Sequence, residues 1–287
     1  MIQKIKSITL ALLAGAVVAC SGDDDSAPPT ATLTLDTIGL EALTGGTSYQ
    51  GWLVVEGKVV PTEKFTDPAG KKTFTLLASD LEKATEFSIT IEPVGDSDNT
   101  PSKAKILKGT FSGNSAQLDF NSVVGNLSNT SGEFFLDTPT DTDPSNQEFG
   151  IWFMKGSGAG LVLPELGEGW RYEGWVAFDN VTVSTGTFSK VDVTDDANFF
   201  KGSGGTVPTF PGEDFLVKPS QIPLTGIIFP ASVVGKKVYI TVEPYEDNDP
   251  KPFFIKPLSG TAGLTVGSNN PVQMSSNNAV PTGRVTR

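Results

Sequence analysis

Two stretches decide the fold, Tyr49-Gln50-Gly51-Trp52-Leu53 and Tyr172-Glu173-Gly174-Trp175-Val176. They are copies of one pattern, and the register around them holds. Leu40 answers to Leu163, Leu43 to Leu166, Thr62 to Thr185, and Phe65 to Phe188. A second block recurs in the same order. Ile89-Thr90-Ile91-Glu92-Pro93 matches Ile240-Thr241-Val242-Glu243-Pro244. Asp96 and Asp98 then fall on Asp247 and Asp249, and Pro101 on Pro252. Two blocks repeated in one order mean a duplicated unit. The second copy carries extra residues between the blocks. They are placed within the Gly/Pro-rich Asp195–Pro230, which reads as a long loop.

The local pattern is β. Leu33 and Leu35 alternate with threonine. Glu56-Gly57 marks a hairpin turn between Leu53–Glu56 and Lys58–Val60, and the second copy places Asp179-Asn180 there. Phe87–Glu92 and Val238–Glu243 are β-branched and aromatic, and each stops at a proline. Phe134–Leu136, Ile151–Phe153 and Phe253–Ile255 also read as strands. With 31 Gly and 20 Pro, no long amphipathic helix is expected. The expected fold is all-β: two tandem antiparallel β-sandwich-like modules, at 31–130 and 131–267. Residues 268–287 are Asn/Ser-rich without periodicity and read as a disordered tail.

Ahead of the modules stands an export segment. Lys4 and Lys6 precede the apolar run Ile8–Ala19, too short for the roughly 20 residues of a membrane span. Val17-Val18-Ala19 before Cys20 resembles a lipobox, so 1–19 reads as a cleaved lipoprotein signal peptide and Cys20 as the lipidated residue. Acylation with fatty chains such as palmitate would give a stable membrane anchor. Residues 20–30 read as an acidic tether. Its Cys-Ser-Gly-Asp-Asp-Asp start resembles the signal that sends lipoproteins to the cell surface. The expected location is the outer membrane, on the cell surface or on the periplasmic leaflet.

The formal net charge is −12, which argues against nucleic acid as a partner. Histidine is absent and Cys20 is the only cysteine. Catalytic triads built on histidine, and zinc sites of the Cys/His kind, are therefore excluded.

At Tyr172-Glu173-Gly174-Trp175, Ser184-Thr185-Gly186-Thr187-Phe188 and Ile240-Thr241-Val242-Glu243-Pro244 the chain resembles the extracytoplasmic, C-terminal domain of anti-sigma-K factors. The likeness extends over Glu133–Thr261 and, more weakly, over Thr32–Leu118. A complete factor of that family has a cytoplasmic helical domain that holds the sigma factor, then a transmembrane helix. Neither is read in this sequence. The resemblance implies the outer, sensing half of such a system, without sigma binding.

Three sets of residues invite a chemical role, each beside a structural one. Asp96, Asp98, Asp247 and Asp249 offer hard oxygens at alternate positions, as calcium requires, or cap their own turns. Trp170 and Trp175 offer aromatic faces for a ligand such as a sugar, or pack a core. Trp170 is the one expected to be exposed. Glu92 and Glu243 are the obvious carboxylate pair for glycoside hydrolysis, or buried ends of strands. The leading expectation is a non-enzymatic, lipid-anchored envelope protein without a cofactor, binding an unknown protein or glycan partner. A carboxylate-dependent glycan-acting enzyme and a calcium-dependent adhesin stay open beside it.

Overall fold

The computed structural model describes residues 27–220, 222, 224–245 and 249–287. It is all-β with antiparallel pairing throughout. The elements are β1 (Thr30–Ile38), β2 (Ser48–Val55), β3 (Lys58–Phe65), β4 (Lys72–Leu77), α1 (Ala78–Lys83), β5 (Ala84–Glu92), β6 (Lys105–Thr110) and β7 (Ser115–Leu118). They continue with β8 (Ser131–Phe134), β9 (Gly150–Trp152), β10 (Met154–Lys155), β11 (Gly158–Ala159), β12 (Leu161–Val162), β13 (Trp170–Phe178), β14 (Val181–Phe188) and β15 (Gly212–Asp214). Last come β16 (Lys237–Pro244), β17 (Leu258–Thr261), β18 (Val272–Gln273), β19 (Ser275–Ser276) and β20 (Thr282–Thr286). Among the described residues no helix is long and apolar enough to cross a membrane.

The first module is a pair of four-stranded sheets, β3-β2-β5-β6 and β4-β1-β20-β7. Leu33, Leu35 and Phe74 of one sheet share a core with Tyr49, Leu53, Phe87 and Ile89 of the other. The second module is built on the five-stranded sheet β14-β13-β16-β17-β19, with β12-β8-β18 beside it.

The chain's end corrects the expected disordered tail. Val272 and Ser275 pair with Phe134 and Ser259, so the second module continues past residue 267. Residues Thr282–Thr286 then return to the first module as β20, between β1 and β7. Val285 is wholly buried there. Arg287 locks the strand: its Nη1 donates to the carbonyls of Leu81 and Ala84, and its guanidinium lies 4.4 Å from the Phe111 ring centre. The tail has little apolar periodicity because its buried positions are few and scattered: Met274, Pro281, Gly283 and Val285.

One further expectation is corrected. Phe253–Ile255 is not a strand. Ile255 instead accepts the amide of Val242, and the segment bends past β16. The long stretch Asp195–Pro230 is irregular outside one short strand in its described part, as read from its glycines and prolines, and it is packed against the module. It contributes β15, which pairs with β9, and it buries Phe200 and Phe215.

The structure explains the repeated Tyr-x-Gly-Trp pattern residue by residue. Tyr49 and Tyr172 each donate a hydroxyl at 2.8 Å to the carbonyl eight residues upstream, Glu41 and Pro164. Their rings pack against Phe65 and Phe188, with centroids 5.4 and 5.6 Å apart. The glycines are forced by close approach. A Cβ at Gly51 would stand 2.9 Å from the Thr62 hydroxyl, and one at Gly174 would stand 2.2 Å from that of Thr185. Both strands carry a register shift at this point. The hairpin turns also correspond, since Glu56 and Asp179 both adopt positive φ, 49° and 54°.

Candidate functional site

The second half of the pattern is a buried polar relay, made twice. Trp52 Nε1 donates to Thr90 Oγ1 at 2.7 Å, and the Thr90 hydroxyl donates to Glu92. Glu92 Oε1 also accepts the Ser102 amide at 3.2 Å. In the second copy Trp175 Nε1 donates to Thr241 Oγ1 at 2.9 Å, and Thr241 donates to Glu243. Glu243 Oε1 accepts the Phe253 amide at 2.9 Å. Each carboxylate thus ties the end of a central strand to the loop that follows it. Glu92 and Glu243 are 1% and 3% exposed. Buried carboxylates held by such donors do structural work and offer no open face to a glycosidic bond.

The tryptophans expected to meet a ligand do not face solvent. Trp175 is spent in the relay. Trp170 is 5% exposed, which corrects the expectation that it stands free. Its Nε1 donates to the Lys105 carbonyl of the first module at 3.1 Å, and its ring lies 6.1 Å from that of Phe253. Trp170 is a joint between the modules.

The acidic turns are also accounted for. Asp96 accepts the Lys64 ammonium at 2.8 Å, and this contact holds its carboxyl below the ordinary value. Asp98 caps the Thr100 amide at 2.7 Å. Asp249 accepts the Thr44 hydroxyl at 2.8 Å, across the module boundary, and the Lys251 amide at 3.2 Å. Cys20 and Asp247 lie outside the described residues. Among the described residues no group of three or more His, Cys, Asp or Glu side chains is placed to hold a metal ion.

What the sequence did not disclose is a buried acidic knot in the extra segment of the second copy. Asp195, Glu213 and Asp214 are all within the core. Asp214 accepts Thr140 N at 2.8 Å and Trp152 Nε1 at 2.9 Å. Asp195 accepts Gly212 N at 2.8 Å, and Glu213 accepts the Phe200 and Asp214 amides. Burial pushes Asp195 up to about 7 and Glu213 up to about 8, with the neighbouring carboxylates adding to the Glu213 shift. Asp195 stands in a polar run and Glu213 after Pro-Gly, where nothing in the sequence marks burial.

The relays frame a cleft of about 300 Å³ between the modules. Its walls include the equivalent residues Pro93 and Pro244, and Ser102 and Phe253. Leu43 and Ile91 supply apolar surface, while Tyr245 and Asp249 supply polar groups. Tyr245 is half exposed and its ring lies 4.1 Å from the Arg171 guanidinium. A small apolar cleft with a few convergent polar groups is the usual form of a binding site. Glu41 and Asp249 are the carboxylate-bearing residues of its wall, and the relay glutamates lie buried behind Ser102 and Phe253.

Residues 13–105 match the family described as the C-terminal domain of the anti-sigma-K factor rskA. The match falls on the first copy and the segment ahead of it, whereas the motifs of the sequence reading were stronger in the second. The shared relay joins the two copies, since the same hydrogen bonds occur in each. No curated protein and no solved structure matches the chain.

Proposed function

We propose that this is a lipid-anchored cell-envelope protein, attached through Cys20, that binds a partner outside the cytoplasm and catalyses no reaction. It resembles the sensing half of an anti-sigma-K system and does not itself hold a sigma factor. The observation that carries the reading is the cleft between the modules, walled by equivalent residues of a duplicated unit. The family likeness supports the location, because the matching domain is the extracytoplasmic part of such factors. The burial of Glu92 and Glu243 in relays weighs against hydrolysis.

Two measurements test this. Cys20→Ala should release the protein from the membrane fraction, and protease shaving of intact cells should report the leaflet. Crosslinking in envelope preparations should capture a partner with the wild-type chain, and capture should fall with Tyr245→Ala. Glycan hydrolysis by the wild type, abolished by Glu92→Gln or Glu243→Gln, would overturn the non-enzymatic reading.

A further inference from the structure

A second cleft lies on the outer face of the five-stranded sheet. Its floor is a cross-strand row, Thr182 opposite Ala177 opposite Lys237, with Tyr239 two residues further along β16 on the same face. One end is the Asp179-Asn180 turn with Gly235-Lys236, and the wall is Pro250–Pro252 with Lys256. The cleft is open and measures about 750 Å³.

Its charge runs against the chain. Acidic residues outnumber basic ones 33 to 21 overall, yet among the described residues this cleft is lined by Lys236, Lys237, Lys251 and Lys256 against one carboxylate, Asp179. Asp179 is paired with Lys236 at 2.8 Å. Lys256 lies 5.4 Å from the Tyr239 ring centre, so its ammonium and the ring line the same wall. Among the described residues, Lys237 and Lys251 make no ion pair. Among the described residues, the ammonium groups of Lys237, Lys251 and Lys256 thus border a concave, hydroxyl- and amide-bearing surface with an aromatic face.

We propose that this cleft binds a short anionic saccharide. The lysines would take its carboxylate or phosphate groups, Asn180 and Thr182 its hydroxyls, and Tyr239 the apolar face of one ring. A concave site suits a short ligand better than a flat bilayer surface. The acidic remainder of the protein opposes long polyanions such as nucleic acid. This site is separate from the cleft between the modules, although Lys251 and Lys256 border both. The inference does not depend on what fills the other cleft.

The test is calorimetric titration of the full chain lacking only the signal segment, with tetragalacturonate as the carboxylate probe. A phosphorylated tetrasaccharide, neutral maltotetraose, inorganic phosphate and anionic lipid vesicles are the comparison arms. Saturable binding of either charged saccharide, with no binding of maltotetraose, is expected. Raising salt from about 50 to about 300 mM should weaken it severalfold. Lys237→Ala with Lys256→Ala should weaken it about tenfold at an unchanged melting temperature, as for two exposed charge contacts. Lys58→Ala, on the first module, should change nothing. The two charged arms distinguish carboxylate from phosphate as the recognised group. Failure of both, equal binding of maltotetraose, binding as tight to inorganic phosphate alone, preference for vesicles, or indifference to the lysine substitutions would each overturn the proposal.

Discussion

Trp52 Nε1 donates to the hydroxyl of Thr90 at 2.7 Å, and that hydroxyl passes the chain of hydrogen bonds on to Glu92. The threonine is the only link between the indole and the carboxylate. Thr90→Val keeps the shape, strands the indole N–H and takes one of its donors from Glu92, which keeps the Ser102 amide. The expected loss is about 2 kcal/mol of unfolding free energy, the cost of unmet buried polar groups. Thr241→Val should cost a similar amount in the second copy. Urea unfolding of the two single variants checks this, and a loss under about 0.5 kcal/mol in both would mean that the relay carries no stability.

This relay also shows how far the sequence was legible. The repeat was visible because both copies spend the same residue types on the same bonds. Tyrosine, tryptophan, threonine and glutamate recur because each has the same hydrogen-bond partners to satisfy, and glycine because no Cβ fits there. The β class and the hairpin turns followed from alternation and turn chemistry. The positions that escaped are those where burial depends on remote chain. Trp170 looks like a free aromatic beside Arg171, but it is covered by the Lys105 carbonyl of the other module. Val285 looks like one apolar residue in a polar tail, but its place is supplied by strands at the far end of the sequence.

All four tryptophans are buried, at 0 to 5% exposure for Trp52, Trp152, Trp170 and Trp175. Acrylamide should therefore quench the native fluorescence weakly and uniformly, with a steep rise on unfolding. A strongly quenched component removed by Trp170→Phe would contradict the buried joint. If the joint is as described, Trp170→Phe should instead raise hydrogen exchange at residues 103–105.

The acidic knot sets a pH dependence. Folding raises Asp195 from 3.8 to about 7 and Glu213 from 4.5 to about 8. The unfolded chain loses these protons first as pH rises. The stability associated with the two groups is therefore complete below about pH 4 and is lost as pH climbs through about 7 to 8. Urea midpoints should fall between about pH 5 and about pH 8.5. Asp195→Asn and Glu213→Gln should each flatten the decline. A midpoint that rises over this interval in the wild type, with no change in the variants, would refute the assignment.

Removal of Thr282–Arg287 should open the first module and not the second. β1 and β7 would lose their shared neighbour, and Leu35 would lose the residue opposite it, Val285. Hydrogen exchange should rise at Leu33, Leu35 and Ala116 while Val238 and Ile240 stay protected. Val285→Asp should act in the same direction, at a cost of about 3 kcal/mol or more for a buried unpaired charge.

The position of β20 has a consequence for the order of events in the cell. During synthesis β1 emerges long before β20, yet the two are neighbours in the finished sheet. A ribosome can complete the interior of the first module only as a half-built wall. Its remaining edge must wait, solvated and unpaired, while the whole second module is made. Completion thus comes late, after the second module, and a product stopped short of Thr282–Thr286 carries an open sheet edge. That edge would mark the unfinished protein to a chaperone or protease, whereas the finished one shows none there.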